Sequence, residues 1–182
     1  PMQEGTYPAH IASLQTKEVN TRAGEAIVVN MTYKVAPEVE NVTQLVYEME
    51  GYEYKRDKSG DLIPVFNGGG SQKSTSCVHL KDKTLYDNGY FVFTDSSSAS
   101  KNSRYFQLLE NLGIKCEDDK GIKKLVLIEE EDVVGKPVMV TTRKQEYVTK
   151  EEKRATFKVN TLTLWEGGDT LSQDDIDNDV PF

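Results

Sequence analysis

The chain has 182 residues, 37% hydrophobic and 29% charged, enough for one domain of ordinary size, and its 9 Tyr, 6 Phe and one Trp are too many for wholesale disorder. No apolar run nears the roughly 18 residues that cross a bilayer, no signal peptide is visible at the start, and two cysteines, Cys77 and Cys116, cannot build a disulfide scaffold. The composition therefore predicts a cytoplasmic protein without membrane contact, and the net charge of −8 argues at first sight against nucleic acid.

In chain order, Glu4 to Val19 reads as a first strand, with Pro8 near its start where an edge tolerates it. A polar turn over residues 20–25 follows. Ala26 to Val35 alternates cleanly: Ile27, Val29, Met31, Tyr33 and Val35 are set to face a core, with Asn30 and Lys34 outward. Residues 36–82 are an insertion. Within it, Val46 to Lys55 resembles a strand, 57–61 a turn and Leu62 to Phe66 a hairpin partner, and the Gly- and Ser-rich stretch 67–76 reads as a flexible loop. Leu85 to Phe93 is an aromatic strand interrupted at Asp87-Asn88-Gly89 by a bulge or tight turn. Ser96 to Ser103 is a polar linker ending in an N-cap. Tyr105, Leu108, Leu109 and Leu112 then recur at helical spacing before Gly113. Val138 to Val148 and Thr156 to Trp165 complete the strands.

Five strands with one short helix between the third and fourth predict an all-β OB-fold, a five-stranded Greek-key barrel carrying a β-rich insertion. A mixed α+β sheet and a β-sandwich fit the same pattern. The domain is expected to span 1–165, with 166–182 a disordered acidic tail.

That tail holds most of the charge imbalance. It carries six of the 30 acidic residues and no base, leaving 24 acids against 22 bases in the first 165 residues. Four of those 24 are the run Glu129 to Asp132, so the rest of the body is slightly basic. A positive groove is compatible with such a body, because local potential follows clustering rather than the total.

The tail ends on Asp174, Asp175, Asp177, Asp179, Val180, Pro181 and Phe182, an aromatic ring directly after a series of carboxylates. A partner pocket with an apolar slot ringed by Lys or Arg would take such a peptide. The ending DNDVPF resembles the acidic D-D-D-I-P-F tip through which single-stranded DNA-binding proteins recruit replication and repair enzymes. The body resembles the phage-encoded members of that group, through EGTYPAHI, EAIVVNMTYKV, LYDNGYFVF, YFQLLENLGI, VVGKPVMVTTRKQEY and FKVNTLTL, in order over most of residues 4–165. The 36–82 insertion departs from that pattern. The resemblance implies a protein in the host cytoplasm that coats and protects single strands during replication, recombination or repair.

Aromatics interleaved with bases point the same way, since flat rings stack on bases and cations hold phosphates. The candidate contacts are Lys34, Tyr52, Tyr54, Lys55, Arg56, Tyr86, Tyr90, Arg143, Lys144, Tyr147, Lys150, Lys153 and Arg154. The hairpin 143–154, joining the last two strands, is the favoured part. Single-stranded DNA is the expected ligand, with duplex DNA and RNA open, and with a homodimer open as the assembly.

Enzyme signatures are missing. Cys77-Val78-His79 has metal-compatible spacing, but only Cys116 and His10 remain as further ligands. NGGGSQKST lacks the spacing of a phosphate loop. The Glu129–Asp132 run reads as a solvated loop. No nucleophile–base pair emerges, so no cofactor, metal or catalytic residue is expected. The alternatives are an OB-fold subunit of a nucleic-acid-processing enzyme, and an interaction protein whose acidic tail inhibits a host factor.

Overall fold

The structure, a computed structural model, describes residues 2–94, 101–116, 118–119, 122–123, 125–150 and 153–178, with 118–119, 122–123, 153–154 and 178 as backbone. Its first two strands, β1 (Thr6–Thr21) and β2 (Gly24–Val35), are an antiparallel hairpin turned at residues 22–23. Short strands follow in the insertion: β3 (Thr43–Leu45), β4 (Met49–Glu50), β5 (Glu53–Tyr54) and β6 (Ser74–Ser76). Then come β7 (Thr84–Asp87), β8 (Tyr90–Phe93), the helix α1 (Ser103–Asn111), the two-residue strands β9 (Asp118–Asp119) and β10 (Ile122–Lys123), and the single-turn helix α2 (Glu130–Val133). The last elements are β11 (Pro137–Val148), β12 (Lys153–Leu164) and the short helix α3 (Gln173–Asn178).

The main sheet closes on itself. β1 pairs with β2 on one side and with β11 on the other; β11 pairs with β12, β12 with β7 in parallel, and β7 with β2. β8 continues along the same edge of β2 beyond β7. The chain is mostly β, and this ring has a single interior. Ala9, Ile11, Val29, Met31, Tyr33, Val35, Leu85, Val92, Val138, Val140, Val159 and Leu162 fill it, drawn from alternate positions of every long strand. Tyr105, Leu108, Leu109 and Leu112, the apolar stripe of α1, join the same buried cluster. The Tyr105 hydroxyl donates to the Val126 carbonyl and accepts the Ile128 amide, which ties the helix to the following loop. No helix among the described residues is long and apolar enough to cross a membrane.

Several expectations need correction. The strand expected over Val46–Lys55 is broken at Gly51, whose φ of 65° makes a two-residue hairpin between β4 and β5. Part of the expected loop 67–76 is a strand, because β6 pairs with β3 and Phe66 bridges Gln72. The insertion is thus a small antiparallel arm. The cap of α1 falls on Asn102 rather than Ser103, and its amide is spent on Phe93, accepting from that backbone N–H at 2.8 Å and donating to its carbonyl at 3.0 Å. The linker residues 95–100 lie outside the described residues. The acidic run is α2 rather than a loop, since Glu129 and Asp132 form a reciprocal capping box.

The largest correction concerns the C-terminus, which does not leave the domain at Trp165. Leu171 N–H donates to the Gly135 carbonyl at 2.9 Å, and His10 Nε2 meets the Asp169 carbonyl at 2.8 Å with its ring edge-on to Trp165. Gly135 and Gly168 permit this close approach. A Cβ on Gly135 would lie 1.9 Å from the Leu171 carbonyl oxygen, and one on Gly168 would lie 2.4 Å from the Trp165 ring. Ser172 and Asp175 cap α3 reciprocally, at 3.2 Å each way, and Ile176 is buried. The segment up to residue 178 is therefore part of the folded body. Asp179, Val180, Pro181 and Phe182 lie outside the described residues.

Candidate nucleic-acid interface

Strand register places outward side chains in rows across the barrel. One row runs Arg143 on β11, Lys158 on β12, Tyr86 on β7, Thr32 on β2 and Ser13 on β1. It spans about 19 Å at the usual interstrand spacing. Lys158 Nζ sits 5.4 Å from the centre of the Tyr86 ring, and Ser13 and Thr32 share a hydroxyl hydrogen bond of 2.6 Å. The neighbouring positions pair Gln15 with Asn30, then Lys17 with Val28 and Val28 with Phe91. These rows hold three cations, two rings and several neutral hydrogen-bonding groups, and no acid. Tyr86 is 53% and Phe91 45% exposed, enough to present a ring face to a ligand. Asp87, next to Tyr86 in β7, points inward and is buried.

Beyond Thr141, β11 has only β12 for a partner, so the hairpin projects as a two-stranded ribbon. Its alternation splits the expected contacts between two faces. Arg143 and Tyr147 lie on the face continuous with the row above. Lys144 and Glu146 lie on the other, in register with Phe157 and Ala155. Tyr147 is exposed at 46%, and Lys150 is exposed at the turn. Lys153 and Arg154 are in register with Val148 and Tyr147.

The second face of the ribbon forms a groove of about 690 Å³ with the arm and the N-terminal residues, bringing Lys144 beside Tyr52, Tyr54 and Arg56. Groups about 90 positions apart in the chain thus share one cleft. Its acids, Glu4, Glu53 and Glu146, outnumber its bases, Arg56 and Lys144. Lys144 Nζ pairs with Glu146 at 3.1 Å and its amide donates to Glu4, and Glu53 lines the same cleft. Lys55 pairs with Glu48 at 3.5 Å, Arg56 donates to the Gly60 carbonyl at 2.8 Å, and the Tyr54 hydroxyl accepts from Gln3. Tyr52, 98% exposed at the tip of the arm, is the only one of these rings fully presented to solvent.

Two expected contacts belong elsewhere. Tyr90 is 3% exposed, with the Arg104 guanidinium 4.6 Å from its ring centre, so its face is taken by the protein. Simple alternation sets residues 86 and 90 on one side of a strand. The turn at Asn88–Gly89 shifts that parity by one, so Tyr90 faces in and Phe91 faces out. Lys34 is half-buried and its Nζ reaches the Ile176 carbonyl at 3.4 Å, under the docked C-terminal segment. Asp174, Asp175 and Asp177 sit on α3, where Asp175 caps the helix and Asp177 accepts from Gln173 at 3.1 Å.

Lys17 and Lys158 were absent from the sequence candidates. Lys158 lies between Phe157 and Val159 in the final strand, and its period-2 position marks it as outward. Its pairing with Arg143 and Tyr86 is a matter of register alone.

The polar interior near this face has its own electrostatics. Burial raises the Asp87 carboxyl above the usual carboxylate range, opposed by hydrogen bonds from Tyr33, Gly89 and Met31. Burial also pushes the Tyr90 hydroxyl up to about 12, with the nearby Asp87 charge adding to it. Among the described residues no cluster of His, Cys, Asp and Glu is arranged to hold a metal. Cys77 is buried, which raises its thiol, while His79 is exposed. No family model, curated protein or solved structure matches the chain.

Proposed function

We propose that this chain is a sequence-tolerant single-stranded DNA-binding protein of a bacteriophage, built on an OB-fold, that coats and protects single strands in the host cytoplasm. The observation that carries the reading is the set of acid-free rows of outward side chains in which Arg143, Lys158 and Lys17 accompany the exposed Tyr86 and Phe91. Cations along a path of stackable rings suit a ligand with a uniform backbone and variable bases.

The OB-fold reading is supported by the order of the ring, β1–β2–β7–β12–β11, by its parallel closure between β7 and β12, and by a helix between the third and fourth barrel strands. In that fold the face of the second and third strands, with the loop joining the last two, is the usual oligonucleotide site. Here that corresponds to β2, β7 and β8 with the β11–β12 ribbon. The protein acts by binding rather than catalysis, and recruits replication or recombination enzymes through Asp174, Asp175, Asp177 and the Asp179–Phe182 end.

The test is a titration of the full chain with oligothymidine, followed by Tyr and Trp fluorescence, at several salt concentrations. Quenching with an affinity that falls steeply with salt is expected, since phosphate neutralisation releases counterions. Unchanged fluorescence, with no retarded complex at low salt, would remove the proposal.

A further inference from the structure

β2 has two partners along one edge. Thr32–Lys34 pair with β7, and Ala26–Val29 pair with β8. Between them, Met31 runs past the corner where the chain turns from one strand to the next. The Asp87 carboxylate takes the Met31 amide in place of a strand carbonyl, at 3.4 and 3.3 Å to its two oxygens. It also accepts the Gly89 N–H at 3.0 Å and the Tyr33 hydroxyl at 2.9 Å. Four donor contacts converge on one buried side chain.

The corner lies tight against β2. Gly89 has φ 84°, and a Cβ there would fall 2.6 Å from Val28 Cγ1 and 2.8 Å from Asn30 Oδ1. On the outer surface Tyr86 stands immediately before this seam and Phe91 shortly after it, opposite Thr32 and Val28. Those partners are four residues apart on β2, about 13 Å at the usual rise per residue.

We infer that Asp87 is a positioning residue: its carboxylate stitches β7 and β8 to β2 and thereby sets the spacing of Tyr86 and Phe91 as a two-ring platform for bases. The inference rests on the proposed single-strand binding. It separates base contacts from phosphate contacts, because the cations Arg143 and Lys158 are carried by β11 and β12, whose pairing with each other does not run through Asp87, although Lys158 also lies beside Tyr86.

The experiment uses the full chain with Asp87→Asn, which keeps shape but loses one acceptor oxygen, and Tyr33→Phe, which keeps the core ring and removes one donor. Two quantities are read below the melting temperature. One is amide hydrogen exchange at Met31 and Gly89; the other is affinity for oligothymidine and for an abasic oligodeoxynucleotide of equal length. In Asp87→Asn, faster exchange at one or both amides is expected, with oligothymidine affinity down about tenfold, the scale of one lost stacking contact. Abasic affinity should stay within about twofold, since phosphate contacts are untouched. Tyr33→Phe should shift the same readouts in the same direction, by less. Equal weakening of both oligonucleotides, or unchanged oligothymidine affinity despite faster exchange, overturns the inference. If the wild-type chain binds neither oligonucleotide, the proposed function falls with it. Unchanged exchange in a wild type that does bind, compared with its variants, removes the seam alone.

Discussion

Arg143 and Lys144 are adjacent in sequence, yet the pleat sends them to opposite faces of the ribbon, one beside Lys158 and the other onto Glu146. Charge reversal should therefore separate them. Arg143→Glu and Lys158→Glu should each weaken oligothymidine binding and reduce the magnitude of the salt slope by roughly one. Lys144→Glu should leave that slope near its wild-type value, because its ammonium is already paired. Equal effects from both positions would place the ligand in the groove instead. Asp87 offers a second residue-level test, by pH. Its carboxyl is raised in the folded state, so between the ordinary carboxylate pKa and the raised one the folded chain binds more protons than the unfolded. Stability should fall as pH rises through that window. Asp87→Asn should remove that part of the slope in denaturant melts taken across acid pH, and an unaltered slope would contradict it.

Among the elements, the C-terminal segment shows what period-reading misses. Residues 166–178 have no repeating apolar face, and they dock instead through single events: the Leu171 backbone hydrogen bond to Gly135, the contacts of His10 and Lys34 with the Asp169 and Ile176 carbonyls, and the buried Ile176. Such long-range contacts leave no local pattern. Removing residues 179–182 should leave the melting temperature unchanged. Removing 166–182 should destabilise the fold by about 1.5–3 kcal/mol from Ile176 alone, read in denaturant melts. If both truncations melt like the full chain, the docking contributes nothing. The same contrast separates what was legible elsewhere. β2 was readable because one face is buried along most of its length, whereas the parity shift at Asn88–Gly89 required knowing that the chain turns there. Part of the arm was legible, since 57–61 turns as expected and Leu62 and Pro64 bridge Arg56 and Tyr47 as a hairpin partner would. The β3–β6 pairing was hidden by a Gly- and Ser-rich composition whose backbone bonds are indifferent to side chain.

For the whole molecule, the order of strands and helix carried the β-rich architecture, because β2, β11 and α1 each have an apolar period. Which strand lies beside which depended on register, and with it the joining of Arg143, Lys158 and Tyr86 into one row. That ring also has kinetic weight. It closes where Thr6 meets Thr141, 135 residues away, and where β12 joins β7 through only the pairs Lys158–Tyr86 and Val159–Asp87. The first contact needs most of the chain to be brought round and the second a loop of 72 residues, and that loop entropy is spent before the pairing repays it. Refolding from denaturant should accordingly take milliseconds to seconds, the range of β-dominated chains, rather than microseconds. The β1–β2 hairpin is local and can assemble first; the β12–β7 junction that completes the proposed binding row should be among the last parts to arrive.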